Sequence, residues 1–384
     1  MKRPAPKVGG KLRHYPVALV IGTRPEAIKL SPVVHALAAR GEPPRLLLTG
    51  QQPGLELSDH GLQGFAVTPL HLPGQPDPVL HAELVRGALK RLLEPAPPQL
   101  LLVQGSTSSA LGGALAGRDL GIALGHVEAG LRTHDRALPW PEEDNRQAID
   151  RIADLLFAPT AANAANLQRE EVPGEVHVTG NSGIDALAAI AGPLPLRPRR
   201  RWWRREFRLL VTCHRRENWE GGLARLAEAL IRLAAEGVAS DVLLPPNPTV
   251  TGRLTALIGG QSLIRLAAPI SHAAMIAAIR SAQLVLSDSG GIQEEAPALG
   301  VPLLVLREKS ERPEGVAAGN AILVGTDPDR IVEEVGRLRR DRSALKAMSR
   351  PTMPFGDGHA APRIAAACLD YLARQRQQPA RHLG

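Results

Sequence analysis

Short apolar runs alternate with helix-like segments along most of the chain. The first half contains six runs that predict buried strands: VALVIG (17–22), RLLLTG (45–50), QLLLVQG (99–105), GIALGHV (121–127), LLFAPT (155–160) and VHVTG (176–180). Six more follow residue 207, namely RLLVTCH, DVLLPP, LIRLAAP, QLVLSDSG, PLLVLRE and AILVGTD. Strands that alternate with helices predict parallel sheets with right-handed crossovers. The pattern therefore predicts two doubly wound α/β domains whose strand ends face each other across a ligand-binding cleft.

The interruption of this pattern after residue 187 gives the domain boundaries. Residues 1–15 are predicted to be a disordered basic tail, and residues 16–187 the N-terminal domain. A linker is predicted at 188–207, and it is followed by a C-terminal domain at 208–362. A last helix at 363–376 is predicted to pack back on the first domain.

The composition is that of an ordinary globular protein. A chain of 384 residues, 44% of them hydrophobic and 22% charged, fits two domains of about 150 to 200 residues. No apolar run reaches the roughly 18 residues that span a bilayer, and the first residues lack the apolar segment of a signal peptide. We therefore expect a cytoplasmic protein without membrane insertion. Cys213 and Cys368 have no CxxC spacing, so no disulfide framework or metal site is predicted, and each is expected to be buried.

The formal charge of +8 raises the alternative of a nucleic-acid-binding protein. The densest basic run is RPRRRWWRREF at 197–207, where two tryptophans among arginines suit base stacking and phosphate contact. The run also lies directly between the two predicted domains, and a solvated connector explains it equally simply. We favour the connector, so nucleic acid is not the expected partner.

The loop after the first predicted strand, GTRPEAIKLSPVV, indicates an anion site. Pro25 falls where a helix has its first turn, which places Arg24 and Lys29 at or just inside the helix N-terminus. Backbone N–H groups and the helix dipole favour an anion there, and two cations strengthen that preference. The alternative is that both are ordinary surface charges. Because cations at an N-terminus oppose the dipole, a binding role is the better interpretation.

Two further strand ends differ in their chemistry. In DSGGIQEEAPALG (288–300), Ser289, Gly290 and Gly291 would present backbone N–H groups to an anion, although such a sequence is also typical of a capping turn. In LLVQGSTSSALGGALAG (101–117), the loop QGST lies where open α/β sheets bind ligands, yet it carries no charge. The QGST loop therefore lies at a predicted ligand site but has no side chain that could transfer a proton near neutral pH.

Several long motifs, in order from about residue 17 to about residue 364, resemble the non-hydrolysing UDP-N-acetylglucosamine 2-epimerases. They are GTRPEAIKLSPVV, GHVEAGLRT, PWPEEDNRQAIDRIADLLFAPT, VTGNSGIDAL, TCHRRENWEG, SDSGGIQEEAPALGVPLLVLREKSERPEGV and LVGTD. The resemblance implies two Rossmann-like domains of the glycosyltransferase-B type, with the nucleotide sugar in the interdomain cleft and the C-terminal domain binding UDP. It implies interconversion of UDP-GlcNAc and UDP-ManNAc without a cofactor, through loss of the C2 proton and of UDP followed by re-addition. It also suggests a homodimer.

The resemblance also assigns roles to individual residues. The nucleotide or sugar contacts that it implies are Arg24, Lys29, Ser289, Gly290, Gly291, Glu295 and Arg312. Glu128 of HVEAG and Glu142 of PEEDN match catalytic carboxylates, and His214 of TCHRREN is a further candidate. For each glutamate the alternative is an ion pair with a nearby arginine. As catalytic groups they are expected to have raised pKa values, because a closing cleft partly desolvates them.

The chain departs from the family pattern at several positions. The uncharged loop QGST corresponds to the family's His-Gly-Asp-Thr, so Ser106 stands at a catalytic Asp position and is expected only to contact the substrate. Pro245 matches a catalytic His, and a proline transfers no proton. Met275 takes the place of an aromatic against the uracil ring, and Gln52 replaces a His of the regulatory site described for some members.

Three function classes therefore remain open. The first is an active epimerase that uses Glu128, Glu142 and His214. The second is a catalytically weakened or repurposed homologue that still binds UDP-sugars, since a lost general acid or base typically costs about 10²- to 10⁴-fold in rate. The third is a nucleic-acid-binding protein that uses the 197–207 run.

Overall fold

A computed structural model describes residues 15–194 and 207–377, whose strands form two parallel β-sheets. The predicted tail at 1–15, except for its last residue, and the basic run, except for Phe207, lie outside the described residues.

The first sheet has seven parallel strands in the spatial order β3-β2-β1-β4-β5-β6-β7. Their bounds are β1 Val17–Ile21, β2 Arg45–Leu48, β3 Ala66–Pro69, β4 Leu100–Gln104, β5 Ala123–Val127, β6 Leu155–Ala158 and β7 Glu175–Val178. Every residue of β1, β4 and β6 is buried, as continuous apolar runs covered on both faces require. The order reverses direction beside β1 and β4, and the loops after these two strands meet at this switch point.

The second sheet has six parallel strands in the order β10-β9-β8-β11-β12-β13. Their bounds are β8 Arg208–Thr212, β9 Ala239–Leu243, β10 Ile264–Ala267, β11 Leu284–Ser287, β12 Leu303–Val305 and β13 Ala321–Leu323. Its switch point lies between β8 and β11, whose residues pair in register from Leu209 with Leu284 to Thr212 with Ser287.

Fourteen α-helices cover the faces of the two sheets within the described ranges. They are α1 Arg24–Ala38, α2 Pro78–Leu93, α3 Ser108–Asp119, α4 Glu142–Asp150, α5 Ala161–Arg169, α6 Ser182–Ala191, α7 Gly222–Ala235, α8 Pro248–Ile258, α9 His272–Ser281, α10 Gly290–Leu299, α11 Pro313–Ala317, α12 Pro328–Arg340, α13 Arg342–Met348 and α14 Ala360–Gln377. Two 3-10 helices, Leu57–His60 and Arg216–Asn218, complete the set. None of the described helices is both long and apolar enough to cross a membrane.

The last helix returns to the first sheet. Ile364, Cys368 and Leu372 of α14 are buried in one cluster with Leu30 and Val33 of α1. The chain therefore passes between the two halves twice. The two passages touch where the backbone N–H of Asn181 donates to the carbonyl of Phe355 at 2.7 Å.

The predicted fold class, two parallel α/β sheets with a cleft between them, is confirmed. The sequence pattern missed one strand, β3, because this edge strand is only half-buried and has no continuous apolar run. Residues 188–191 of the predicted linker belong instead to α6, because Ile184 and Leu187 of that helix are buried against the core of the second half. Cys213 and Cys368 are both buried free thiols, as expected.

Candidate active site

A cleft of about 880 Å³ separates the carboxyl ends of the two sheets. Every residue that the sequence proposed for catalysis or substrate contact lines it: Arg24, Lys29, Ser106, Glu128, Glu142, His214, Met275, Ser289, Gly290, Gly291, Glu295 and Arg312. Pro245 does not belong to this set. It is buried after β9, where its carbonyl accepts a hydrogen bond from Thr251 Oγ1 at 2.7 Å, and the nearest lining residue along the chain is Asn247.

The start of α1 is fixed by a capping box. Glu26 Oε2 accepts the backbone N–H groups of Gly22 and Thr23, each at 2.6 Å, and burial raises the pKa of this carboxyl. The backbone N–H of Arg24 donates to Gln52 Oε1 at 2.9 Å. The Arg24 guanidinium reaches across the cleft, where Nη2 donates to the carbonyl of Ile270 at 2.7 Å. Arg24, at the start of α1, thus contacts both halves of the molecule.

Four buried charged side chains from both halves form an alternating ring, which we call the four-charge ring: Lys29, Glu128, Arg312 and Glu294. Lys29 Nζ lies 2.5 Å from Glu128 Oε1 and 2.9 Å from Glu294 Oε2. Arg312 lies 3.0 Å from Glu128 Oε1 through Nη2 and 2.6 Å from Glu294 Oε1 through Nε. The ring contains two positive and two negative groups, so these charges are compensated within it although they are shielded from water.

The pKa values within the ring differ from the sequence-based expectation. Burial acts to raise the pKa of Glu128, but Lys29 and Arg312 outweigh it and lower this pKa to about 2. The expected raised pKa is therefore wrong for Glu128. It is Glu294 whose pKa is raised, because its burial outweighs the same two cations. Burial also acts to lower the pKa of Lys29, but Glu128 and Glu294 raise it, so the ammonium stays charged.

Two neutral donors also contact the Glu128 carboxylate, and the backbone of Glu128 has an unusual conformation. Asn181 Nδ2 donates to its Oε1 at 3.2 Å, and the Gln104 side-chain amide donates to Oε2. Its φ of +73° lies in the left-handed region, which costs a non-glycine residue about 1 to 3 kcal/mol and is typical of functional positions. Both carboxylate oxygens are thus occupied in this arrangement.

Glu142 lies at the first position of α4 and is less restrained. Its Oε1 is 3.9 Å from Arg215 Nη1, and 34% of the side chain is exposed. Its Oε2 has no hydrogen-bond partner among the described residues. Unlike Glu128, this cleft carboxylate therefore has a buried oxygen whose hydrogen-bonding capacity is unused.

His214 follows β8 and presents an imidazole to the cleft. Its Nδ1 lies 3.2 Å from Asp288 Oδ1, while 46% of the side chain is exposed. Asp288 is buried, and its carboxylate also accepts the backbone N–H groups of His214 and Arg215 at 3.0 and 2.8 Å. Burial acts to raise the pKa of Asp288, but His214 and these donors lower it well below its usual range. The carboxylate orients the ring, and within the described structure no partner contacts Nε2.

A buried network supports the uncharged loop after β4. His126 Nε2 lies 2.8 Å from the carbonyl of Gly105, and its Nδ1 lies 2.6 Å from Asp150 Oδ1. Asn145 Nδ2 donates to the carbonyl of Ser106 at 2.9 Å. His126, Asn145 and Asp150 were not predicted from the sequence, although a histidine inside a buried strand, two residues before Glu128, was a usable indication. The network fixes the backbone that carries Ser106.

The other half supplies an anion site at the start of α10. Ser289 is the N-cap residue, and its side chain makes no capping hydrogen bond. A Cβ on Gly290 would lie 2.9 Å from Arg312 Cζ, so the glycine allows the guanidinium to approach the backbone closely. Glu295 Oε1 lies 2.6 Å from His272 Nε2, and Met275 is half-buried nearby on α9. Backbone N–H groups and a buried arginine together suit a phosphate.

Comparisons with known proteins agree on one family. The family model described as UDP-N-acetylglucosamine 2-epimerase matches residues 35–369. The UDP-N-acetylglucosamine 2-epimerase of Yersinia pestis is 41% identical over 373 residues, covering 92% of this chain and 98% of that protein. The homologue of the same name from Bacillus subtilis is 36% identical, with 96% and 98% covered.

Solved structures show the same similarity. The crystal structure of UDP-GlcNAc 2-epimerase from Neisseria meningitidis, bound to UDP-GlcNAc, superposes with a TM-score of 0.85 at 32% identity and covers 92% of this chain and 99% of its own. The enzyme from Methanocaldococcus jannaschii, in complex with UDP-GlcNAc and UDP, gives a TM-score of 0.79 at 29% identity, with 92% and 99% covered.

Proposed function

This chain belongs to the UDP-N-acetylglucosamine 2-epimerase family, and we propose that it interconverts UDP-GlcNAc and UDP-ManNAc by inverting C2 of the sugar. The observation that carries this proposal is the meeting of Glu142, His214, the four-charge ring and the start of α10 in one cleft. The alternative of a UDP-sugar-binding homologue with little turnover is not favoured, because two proton-transferring groups remain in place.

The reaction needs a proton acceptor, a proton donor and support for departing UDP. A base takes the C2 proton, the electron pair of the C2–H bond forms the C1–C2 double bond, and the C1–O bond breaks to release UDP. The reverse addition then delivers a proton to the other face of C2. We assign the two proton transfers to Glu142, with its unpartnered oxygen, and to His214 Nε2.

The remaining charged groups serve the leaving group. The backbone N–H groups at the start of α10, together with Arg24 and Arg312, would hold the pyrophosphate, whose negative charge increases as the C1–O bond breaks. Glu128 stays ionised and, in this assignment, holds Lys29 and Arg312 toward the reacting sugar. Met275 and Glu295 would contact the nucleoside.

Proton NMR in deuterated water tests the function directly. Incubation of the protein with UDP-GlcNAc should replace the C2 proton of the sugar by deuterium and produce UDP-ManNAc. Exchange reports proton abstraction even when net epimerisation is slow. UDP binding without any exchange would favour the alternative of a binding homologue.

UDP should stabilise the protein against heat. A ligand that binds only the native state at 100 times its Kd adds about 2.7 kcal/mol to the free energy of unfolding, which raises Tm by several degrees. Uridine is the matched control, since it lacks the phosphates that the α10 N-terminus and Arg312 are expected to bind. Equal shifts with uridine and UDP, measured by scanning calorimetry, would contradict the proposed phosphate site.

Ser106→Asp is expected to increase C2 exchange about tenfold, since a carboxylate in this loop adds a group able to transfer a proton. Ser106→Asn is the control, because it has the same shape without the titrating group. Adding Pro245→His to Ser106→Asp should give no further increase, since Pro245 is buried away from the cleft wall. A gain that also appears in Ser106→Asn would show that proton transfer is not its cause.

We further propose that the protein is a cytoplasmic homodimer. Val79, Leu80 and Leu84 of α2 are exposed by 61%, 50% and 41%, and a second copy covering this helix would remove them from water. Two buried free thiols suit a reducing compartment. Light scattering of the purified protein measures the mass directly.

A further inference from the structure

One buried carboxylate of the cleft, Glu294, has no part in the proton transfers assigned above. We propose that Glu294 is a positioning residue, which holds Lys29 and Arg312 in place across the cleft so that both cations face the sugar–pyrophosphate bond. The effect of Glu294 on the reaction rests on the proposed function. Its contacts with Lys29 and Arg312 do not.

The contacts of Glu294 join the two halves of the molecule. Glu294 lies on α10, the helix whose N-terminus forms the anion site, and is 1% exposed. It accepts from Lys29 of the opposite half at 3.0 Å through Oε1 and from Arg312 Nε at 2.6 Å. Both donors also contact Glu128, so Glu294 is the second carboxylate that binds Lys29, and Arg312 additionally pairs with the buried Glu311.

Local packing leaves room for this arrangement at two glycines. A Cβ on Gly183 would lie 3.3 Å from Glu294 Oε2 and 3.4 Å from Lys29 Cε. A Cβ on Gly290 would lie within 2.9 Å of the Arg312 guanidinium carbon. A side chain at either position would contact a member of the four-charge ring. The absence of a Cβ at Gly183 and Gly290 thus leaves space for these four charged side chains to lie in close contact.

The charge balance explains why a second carboxylate is needed. Without Glu294, Lys29 would keep only Glu128 as a carboxylate partner, while Arg312 would keep Glu128 and Glu311. Glu294 contacts both cations, so it restrains the distance between Lys29 and Arg312. Removing its charge while keeping its shape therefore displaces Lys29 and Arg312 without opening a cavity.

Glu294→Gln tests the proposal through three measurements. C2 deuterium exchange at saturating UDP-GlcNAc should fall at least tenfold. UDP affinity from calorimetry should fall much less, because Arg24 and the backbone N–H groups at the start of α10 still hold the pyrophosphate when Arg312 is displaced. The chain has only seven lysines, so the side-chain ammonium groups can be followed by ¹⁵N NMR after lysine labelling. Lys29, held by two carboxylates and buried, should give a signal protected from solvent exchange, assigned through Lys29→Arg, and Glu294→Gln should abolish that protection.

Two further variants make the outcome decisive. Glu294→Asp keeps the charge and should recover part of the exchange rate and of the lysine protection. Glu170→Gln removes a carboxylate that pairs with Arg132 outside the cleft, and it should change none of the three measurements. If the Lys29 signal is unchanged in Glu294→Gln, or if UDP affinity and exchange fall equally, Glu294 does not position these cations. If the wild-type protein shows no exchange, the proposed reaction fails, while the lysine signal still decides whether Glu294 holds Lys29.

Discussion

Replacing Glu142 by glutamine should slow C2 deuterium exchange by about 10²- to 10⁴-fold, the range typical of a lost general acid or base. The amide keeps the size of the side chain and can still face Arg215, but it cannot accept or release a proton at neutral pH. UDP affinity should stay within threefold, because the anion site lies at the start of α10 in the opposite half. NMR in deuterated water gives the exchange rate, and calorimetry gives the Kd.

Asp144→Asn is the matched control for this variant. Asp144 lies two positions along the same helix, but its carboxylate pairs with the exposed Arg136. The substitution should leave exchange unchanged. Full exchange in Glu142→Gln would exclude Glu142 as a proton carrier and leave His214 as the group to test next.

Lys29→Met should cost about 3 to 5 kcal/mol of folding free energy at neutral pH, since it leaves buried carboxylates without one of their two cations. Methionine fills a similar volume, so the loss reports charge rather than a cavity. Lys309→Met is the control, because Lys309 pairs with Asp135 across the rim of the same cleft but is half-exposed. An exposed ion pair contributes up to about 1 kcal/mol. Urea denaturation of both variants measures the difference.

The pH dependence of the Lys29→Met effect follows from the shifted carboxyls. The pKa of Glu128 is lowered to about 2, so its stabilising contribution is present above its ordinary pKa of about 4.3 and is lost as the pH falls toward 2. The pKa of Glu294 is raised, so this group favours folding at low pH and opposes it as the pH rises. Without Lys29, both carboxyls would become protonated more easily. The destabilisation should therefore be greatest at pH 7 and shrink as the pH falls below 5, and a pH-independent loss would contradict the charge explanation.

The sequence was sufficient for the fold class and for twelve of the residues that line the cleft. Continuous apolar runs identified twelve strands, since buried parallel strands need no alternation. The half-exposed β3 lacked that pattern. Long motifs brought Arg24, Glu142 and Arg312 to one cleft because strand ends of doubly wound sheets converge there.

What the sequence did not predict depends on contacts between distant segments. Glu294 and Glu295 are adjacent in one motif, and nothing local indicates that the first joins Lys29 while the second faces His272. The lowered pKa of Glu128 depends on two cations from different halves, so desolvation alone gave the wrong direction. For Pro245, the motif position gave no indication that the residue lies off the cleft wall.

The two passages between the halves lie side by side at Asn181 and Phe355, and this sets how the cleft can open. Gly180 and Gly356 stand next to these residues with φ values of +90° and +126°, which are backbone conformations that glycine adopts readily. Two adjacent backbone crossings restrict twisting of one half against the other more than a single crossing would. We therefore expect the two halves to separate mainly by bending at this point when UDP is released.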